Sequence, residues 1–255
     1  MSGVPLPLRE SPLERLRERE LEEARSLQQA IIQAEPLCGP AIEFASRFRP
    51  FVDVGGDFLD YFRLSDDRLG LYLGDVVGKG LPAAMYAALA VGTLRGIKKT
   101  GELPPAVLEL LNRRLRMRVP PARYCAVEYA VFDPATFELC LSNAGLPKPV
   151  HIAAQGCCEL GEGGLPSGLF PDTHYDQYNA KLGAGDAVLF LTDGILEAQN
   201  AAGEEFGNER LLEVCAKVRG KSADGILARL FEAVDGFVDG AQQHDDMTAA
   251  VMKLS

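Results

Sequence analysis

The sequence has no uninterrupted apolar run of about 18 residues or more, the length that a membrane-spanning helix requires. Its polar, proline-rich start, MSGVPLPLRESPLERL, lacks the basic first segment, the apolar middle and the small-residue cleavage site of a secretion signal. We therefore predict a cytoplasmic protein without a membrane segment.

Residues that typically build zinc sites, disulfide frameworks and hydrolase triads are also scarce. The six cysteines include no CxxC pair, and the three histidines form no cluster with them. Neither a zinc site nor a disulfide framework is expected, and scattered reduced thiols fit a cytoplasmic location. The Gly-x-Ser-x-Gly elbow of serine hydrolases is absent. The stretch GDVVGKG at 74–80 lacks the spacing and the final Ser or Thr of a phosphate-binding loop.

Positive charge is in deficit, since the formal net charge is −10 at neutral pH. A polyanion would be repelled by most of such a surface, which argues against nucleic-acid binding. A chain this acidic can hold carboxylates close together only if cations neutralise some of them. The composition is thus a first, weak indication of metal ions.

The order of the sequence patterns predicts an irregular segment, a helix and one domain. The proline-rich residues 1–12 should be irregular, and residues 41–255 should form the domain. Residues 13–35 are dense in Glu and Arg, and a narrow apolar seam of Ala24, Leu27, Ile31 and Ala34 predicts a long helix. Two interpretations stay open for this helix: packing on its own domain, or a coiled-coil or dimerisation segment.

Within the domain, strand patterns come first, followed by two helices, many strands, two helices and a last strand. Helices separated from hairpin-connected strands indicate an α+β fold with antiparallel sheets rather than a doubly wound parallel fold. The predicted helices span 81–98, 105–118, 208–219 and 222–239.

Acidic residues recur at the ends of apolar runs. They are Asp57, Asp75, Asp193 and the pair Asp245 and Asp246. One Asp beside a Gly is typical of an ordinary turn, but several after buried runs are costly unless they are paired or bind metal. No Lys or Arg stands next to Asp193 or Asp245 in the sequence, so we expect no protein cation to neutralise them. Oxygen ligands alone favour Mg²⁺ or Mn²⁺.

These stretches resemble a known family. VGGDFLD, GDVVGKGLPAAM, SNAGLPKP, LFLTDGILEAQ and HDDMTAAV are similar in order and spacing to motifs of the PPM-type metal-dependent serine/threonine protein phosphatases, in their SpoIIE/RsbU-like bacterial branch. The resemblance extends from about residue 27 to 254. It implies an α-β-β-α sandwich of two antiparallel sheets flanked by helices, with metal ions at one edge.

The resemblance also implies a ligand set. Asp75 would bridge two ions, with the Val76 carbonyl contributing to one of them. Asp193 and Asp245 would hold the first ion, and Asp57 would serve the second. Three further residues are expected to support the site: Gly56, Gly194 and Asp246.

The same resemblance implies two Mn²⁺ or Mg²⁺ ions and leaves open a third. These ions would activate water for in-line attack on phosphoserine or phosphothreonine. Members of this branch commonly dephosphorylate a STAS-type anti-sigma-factor antagonist in partner switching. The expected partners are such a phosphoprotein, and an activator or a second copy bound through residues 13–35.

Two positions depart from the family pattern, and other functions stay open. Val77 stands where Ser is usual and Leu146 where His is common. Glu197 is either a helix-surface residue or part of the ion environment. The alternatives to the phosphatase are a non-catalytic regulatory scaffold with the same fold and another two-metal hydrolase, such as a nuclease. The acidic composition argues against the nuclease.

Overall fold

The computed structural model describes residues 11–32, 38–39, 42–64, 67–97, 102–118 and 122–255. Six helices and eleven strands lie within these ranges. The helices are α1 Pro12–Ile32, α2 Leu81–Ile97, α3 Pro104–Arg118, α4 Asp193–Leu196, α5 Gly207–Lys217 and α6 Ala223–Val238. The strands are β1 Cys38–Gly39, β2 Ile42–Arg49, β3 Phe58–Arg63, β4 Leu69–Val76, β5 Cys125–Asp133, β6 Glu138–Ala144, β7 Val150–Ala153, β8 Gly156–Glu159, β9 Tyr178–Lys181, β10 Ala187–Leu191 and β11 Met247–Leu254.

The strands form two antiparallel sheets. Among the described residues, one sheet has the order β1-β2-β11-β10-β7-β8 and the other the order β3-β4-β5-β6-β9. The last strand, β11, pairs along its whole length with β2 and also with β10, so both ends of the domain meet in the middle of the first sheet. The predicted α+β sandwich of two antiparallel sheets is confirmed.

Two apolar clusters arrange the sheets and helices in layers. Helices α2 and α3 contact the outer face of the sheet that contains β4, β5 and β6. Helices α5 and α6 pack on the outer face of the other sheet, against β2, β7, β8 and β11. Because both faces of the central strands are covered, β10 reads as a continuous apolar run, AVLFL, with every residue buried.

Helix α1 lies on its own domain, as the first of the two interpretations predicted. Gln28 is buried, and its side-chain amide accepts a hydrogen bond from the Gly55 N–H (3.0 Å) and donates one to the Gly55 carbonyl (2.6 Å). The Arg95 guanidinium of α2 donates to the Ile31 carbonyl at 2.8 Å. The helix is thereby fixed to the loop that precedes β3.

The predicted seam lies partly on the face that packs, since Ile31 packs against the core and Ala24 is half-buried. Leu27, placed in the seam, is 65% exposed, whereas Gln28 is 8% exposed. A buried polar residue that bonds to a neighbouring backbone is invisible to a search for apolar periodicity, which explains the difference. Residues 33–35, including Ala34 of the seam, and residues 1–10 lie outside the described residues.

Four elements were absent from the sequence prediction: strands β1, β3 and β8 and helix α4. Strand β8, GCCE, carries no apolar alternation, and it forms by pairing with β7 across a tight turn. Helix α4 is a single turn, DGIL, that follows the end of β10. No helix in the described ranges combines the length and apolarity that crossing a membrane needs.

Candidate active site

Five aspartates gather where the two sheets meet at one edge of the sandwich. Asp57 immediately precedes β3, and Asp75 is the next-to-last residue of β4. Asp193 begins α4 two residues after β10, while Asp245 and Asp246 lead directly into β11. The first two positions belong to one sheet and the last three to the other. Their mutual effects on pKa, given below, place all five within electrostatic range of one another.

Asp57 joins the two sheets. Its side chain is 1% exposed, and its Oδ2 accepts hydrogen bonds from the hydroxyls of Thr192 (2.8 Å) and Thr248 (2.5 Å), both from the opposite sheet. Burial, and then the negative charge of Asp75, raise the pKa of Asp57 well above its ordinary value, although the Thr248 hydrogen bond acts in the other direction. Ionisation of the Asp57 carboxyl group is therefore costly unless a cation lies beside it.

Asp75 lies beside Asp57, and its pKa is also subject to opposing influences. Burial and the negative charge of Asp193 raise the pKa of Asp75 to about 7, while a side-chain hydrogen bond with Asp57 lowers it. Two carboxyl groups can share such a bond only if one of them carries a proton. The raised pKa values of Asp57 and Asp75 favour their protonated forms, and a bound divalent cation would favour the ionised forms instead.

Asp193 lies at the start of α4 and faces Asp245. Burial and the charge of Asp245 raise the pKa of Asp193, while the Gly194 backbone N–H and the Lys79 ammonium lower it. The predicted ligands Asp57, Asp75, Asp193 and Asp245 thus lie in one cluster, although they come from four separate stretches of sequence.

The expectation that no protein cation neutralises Asp245 is wrong. The Lys79 Nζ lies 2.9 Å from the Asp245 Oδ2 and also donates to the His244 carbonyl. Lys79 belongs to the loop after β4, far from Asp245 in the sequence, so only the fold brings the two charges together.

Asp246 has a structural role. Its Oδ1 accepts from the Phe51 N–H (2.7 Å) and its Oδ2 from the Gly56 N–H (2.6 Å). A buried carboxylate that accepts two backbone N–H bonds ties the loop before β3 to the start of β11. The supporting role expected for Asp246 stays a prediction.

The glycines beside the cluster leave room for its oxygens. A Cβ atom on Gly194 would lie 1.9 Å from the Asp246 carbonyl oxygen, and one on Gly55 would lie 2.2 Å from the Asp246 Oδ2. A Cβ on Gly56 would lie 3.0 Å from the Val76 carbonyl oxygen and 3.4 Å from the Asp75 Oδ1. The two predicted ligand oxygens at Val76 and Asp75 therefore border the same small space, which a side chain on Gly56 would fill.

The residues that sequence reasoning missed are Lys79, Gly55, Thr192 and Thr248. Both threonines adjoin predicted residues, in the stretches LTDG and DDMT, and a hydroxyl next to a buried carboxylate is a signal that could have identified them. Lys79 carried no comparable signal.

Three residues left open by the sequence lie around the cluster rather than within it. Leu146 is a buried core residue of the sandwich, and the Val77 N–H donates to the Tyr124 carbonyl at 3.1 Å. Glu197 is exposed at the end of α4, and partial burial and the charge of Asp193 raise its pKa. It therefore belongs to the periphery of the acidic cluster.

The donor set suits a hard divalent cation. Carboxylate and carbonyl oxygens predominate, and the excess negative charge already appears as raised pKa values at Asp57, Asp75 and Asp193. However, within the described ranges no group of three or more His, Cys, Asp or Glu side chains is arranged as a metal site. The carboxylates would have to turn toward an ion, and Lys79 would have to leave Asp245.

The chain matches known sequences over most of its length. Residues 65–255 match the family model described as Stage II sporulation protein E (SpoIIE). Phosphoserine phosphatase RsbU of Bacillus subtilis (strain 168) is 24% identical over 240 residues, covering 92% of this chain and 70% of that protein. Protein IcfG of Synechocystis sp. is 28% identical over 263 residues, covering 90% of this chain and 40% of that protein.

Solved structures show the same fold. The SiaA-PP2C domain of Pseudomonas aeruginosa has a TM-score of 0.85 against this chain, at 18% identity over 96% of this chain and 100% of that chain. The catalytic domain of the serine/threonine protein phosphatase PstP, in complex with two manganese ions, has a TM-score of 0.61 at 14% identity over 84% and 98% of the two chains.

Proposed function

The chain belongs to the SpoIIE family of PP2C-type serine/threonine protein phosphatases, and from that membership we propose that it hydrolyses phosphoserine or phosphothreonine on a protein substrate. The single observation that supports this most strongly is the convergence of the five aspartates at one edge of the sandwich. Nothing in the fold alone requires so many like charges in one place.

Divalent cations are the cofactor that we propose for this centre, as two Mn²⁺ or Mg²⁺ ions with room for a third left open. Asp75, the Val76 carbonyl, Asp57, Asp193 and Asp245 would hold them. Bound there, the ions would activate water and neutralise phosphate oxygens. The manganese-containing relative PstP supports the choice of ion.

The protein's own residues prepare this site in three ways. Thr192 and Thr248 hold the Asp57 carboxylate at 2.8 and 2.5 Å, so that its orientation is fixed by the opposite sheet. Asp246 fixes the loop that carries Gly56. Gly56 and Gly194 leave no side chain against the Val76 and Asp246 carbonyl oxygens.

A STAS-type phosphoprotein is the substrate that we propose, in a partner-switching pathway. The support is the similarity to RsbU, named a phosphoserine phosphatase, over 92% of this chain. Partner binding through residues 13–35, to an activator or to a second copy, stays a proposal as well. It is supported by the exposed Leu13, Leu16 and Leu27 on α1. Light scattering of the full chain and of a chain lacking residues 1–35 tests it; two identical monomers would contradict self-association.

The activity is tested by Mn²⁺-dependent hydrolysis of p-nitrophenyl phosphate and of a phosphorylated STAS protein, each with and without EDTA. We expect turnover with Mn²⁺, none with EDTA, and loss of turnover in Asp193→Asn. Glu162→Gln, which removes a surface ion pair with Lys148, is the matched control and should behave as the unmodified protein.

The second candidate is a non-catalytic scaffold with the same fold. The observation that favours it is the Lys79–Asp245 ion pair, which occupies one of the proposed ligands. A protein that binds Mn²⁺ yet releases no phosphate from either substrate would favour the scaffold over the phosphatase.

A further inference from the structure

Within the described residues, Lys79 is the one Lys or Arg side chain that the structure records in contact with any of the five clustered aspartates. Its Nζ is 2.9 Å from the Asp245 Oδ2, it donates to the His244 carbonyl, and it lies 5.2 Å from the centre of the Phe51 ring. All three groups lie at the rim of the acidic cluster. The Lys79 ammonium thus offsets part of the negative charge of the acidic cluster.

We propose that Lys79 is an internal counter-ion that occupies Asp245 and competes with a divalent cation for it. The inference rests on the proposed metal-dependent function, since it concerns how this chain's own residues respond to the cation. The ammonium stabilises the acidic cluster without metal, and it has to leave Asp245 when the carboxylate turns toward an ion.

The Lys79 side chain can leave at a modest cost. It is 43% exposed, so its ammonium regains water as it moves out. Ion pairs of this exposure contribute little to stability. Gly78 and Gly80 on either side have φ values of 97° and 68°, a conformation that glycine adopts without strain.

The same loop connects Lys79 to the other half of the centre. Lys79 lies four residues after Asp75, and it also lowers the pKa of Asp193 through its charge. Its position thus affects both carboxylates that the proposed first ion needs. The Asp246 carboxylate, by contrast, accepts two backbone N–H bonds, from Phe51 and Gly56, and Lys79 takes part in neither.

Mn²⁺ binding to the purified full chain tests this proposal without any activity measurement. Titration calorimetry at low ionic strength compares the unmodified protein with Lys79→Gln, Lys79→Met and Lys79→Arg. We expect the two neutral variants to bind Mn²⁺ about threefold more tightly, the free energy of an exposed ion pair. Lys79→Arg keeps a cation and should stay near the unmodified value. Lys148→Gln, which breaks the ion pair with Glu162, is the matched control.

Thermal unfolding gives an independent measurement. Without metal, Lys79→Gln should melt about 1–3 °C lower, because the aspartates lose their counter-ion. With saturating Mn²⁺, the melting temperatures of the variant and the unmodified protein should converge. Lys79→Met keeps the apolar stem of the side chain, so it serves if Lys79→Gln folds poorly.

The outcomes separate this inference from the proposed function. Equal or weaker Mn²⁺ affinity in both neutral variants, with clear binding by the unmodified protein, would overturn the role of Lys79 and leave the metal centre standing. An absence of Mn²⁺ binding in every variant would overturn both. Binding that appears only after Lys79 is neutralised would support the competition most strongly.

Discussion

Asp75 and Glu128 are two acidic residues on one face of the same sheet, and their surroundings are opposite. Asp75 pairs with Ala126 in the β4–β5 ladder, and Glu128 lies two residues further along β5, opposite Leu73. Asp75, at the edge, has Asp57 as a hydrogen-bond partner and other aspartates nearby. Glu128, inside the sandwich, is fully buried, and in the described part of the chain neither of its carboxyl oxygens has a hydrogen-bond partner.

Burial raises the pKa of both residues, and the additional causes differ. For Glu128 burial is the sole cause, whereas for Asp75 the charges of neighbouring aspartates add to it. A raised pKa by itself therefore does not identify a functional carboxylate. Convergence of several acids from different strands distinguishes the edge from the interior.

The largest effect is expected for Asp75→Asn. Loss of the carboxylate that we propose to bridge the ions should reduce Mn²⁺-dependent phosphatase turnover by about 10³-fold or more. The metal-free fold should become less sensitive to pH. Because the folded pKa of Asp75 is raised to about 7, its contribution to stability is present at acidic pH and is lost as the pH rises through 7. The variant should lack that loss.

Phosphate release and thermal melts between pH 4 and 8 measure both parts of this prediction. Retained turnover in Asp75→Asn would contradict the proposed centre. A melting profile that still falls toward pH 7 as steeply as that of the unmodified protein would contradict the assigned pKa effect.

The second effect concerns the close packing of Gly194 against the Asp246 backbone at the edge of the sandwich. In Gly194→Ala, the new methyl group would lie 1.9 Å from the Asp246 carbonyl oxygen, a backbone atom that cannot rotate away. We expect a loss of about 3 kcal/mol in the free energy of unfolding, because the chain around Asp246 must shift. Urea denaturation measures it.

Gly92→Ala in α2 is the matched control, since nothing lies within 4 Å of its added methyl group. Alanine favours a helix interior over glycine, so this variant should gain about 0.5–1 kcal/mol. A Gly194→Ala protein as stable as the unmodified one would show that the edge can relax without cost.

The fold was predictable from sequence wherever a clear apolar pattern marked a helix or a strand. Alternating and continuous apolar runs identified the main strands, and the segregation of helices from strands identified the antiparallel sandwich. Strand β8 escaped because its pairing with β7, not its own composition, makes it a strand. On α1 the apolar seam identified Ile31 as a packing residue, but Gln28 escaped because it acts through hydrogen bonds rather than apolar surface.

The acidic cluster was predictable because its members stand at strand ends, where a carboxylate is out of place in a core. Its neutralisation was not predictable. Lys79 and Asp245 meet only through the tertiary fold, as do Thr248 and Asp57. Such contacts depend on which strand ends share an edge, and a sequence read along one chain does not contain that information. Metal ligation by these residues stays a prediction.

A third, smaller effect is expected for Thr248→Val. The change removes the hydroxyl that donates to Asp57 at 2.5 Å and keeps the shape of the side chain. We expect a loss of about 1–2 kcal/mol in the free energy of unfolding. Because this hydrogen bond lowers the pKa of Asp57, its loss should be felt more at pH 8 than at pH 5, where the carboxyl is protonated more readily.

Urea denaturation at the two pH values tests the Thr248 prediction. Thr93→Val is the matched control, since its exposed hydroxyl bonds only to the Leu89 carbonyl of its own helix. An effect of Thr248→Val that is equal at both pH values would show that Asp57 does not depend on the hydroxyl for its charge.

An effect of similar size and opposite sign is expected for Glu128→Leu. The side chain lies opposite Leu73 and Asn143, and the Asn143 amide already bonds to backbone groups at residues 145–147. Leucine resembles Glu in volume and leaves no buried oxygen without a partner, so the free energy of unfolding should rise by about 1–2 kcal/mol at pH 8.

The pH dependence gives this last prediction its sign. Because the folded pKa of Glu128 is raised, the unmodified protein loses stability as the pH rises above the ordinary glutamate value of about 4.3. The gain from Glu128→Leu should therefore shrink toward pH 4, with Glu128→Gln intermediate, and phosphatase turnover should stay within about twofold because stability, not the site, changes. A loss of stability at pH 8, or a loss of turnover comparable to that of Asp75→Asn, would mean that the interior carboxylate serves the edge, and the contrast between the two acids would fail.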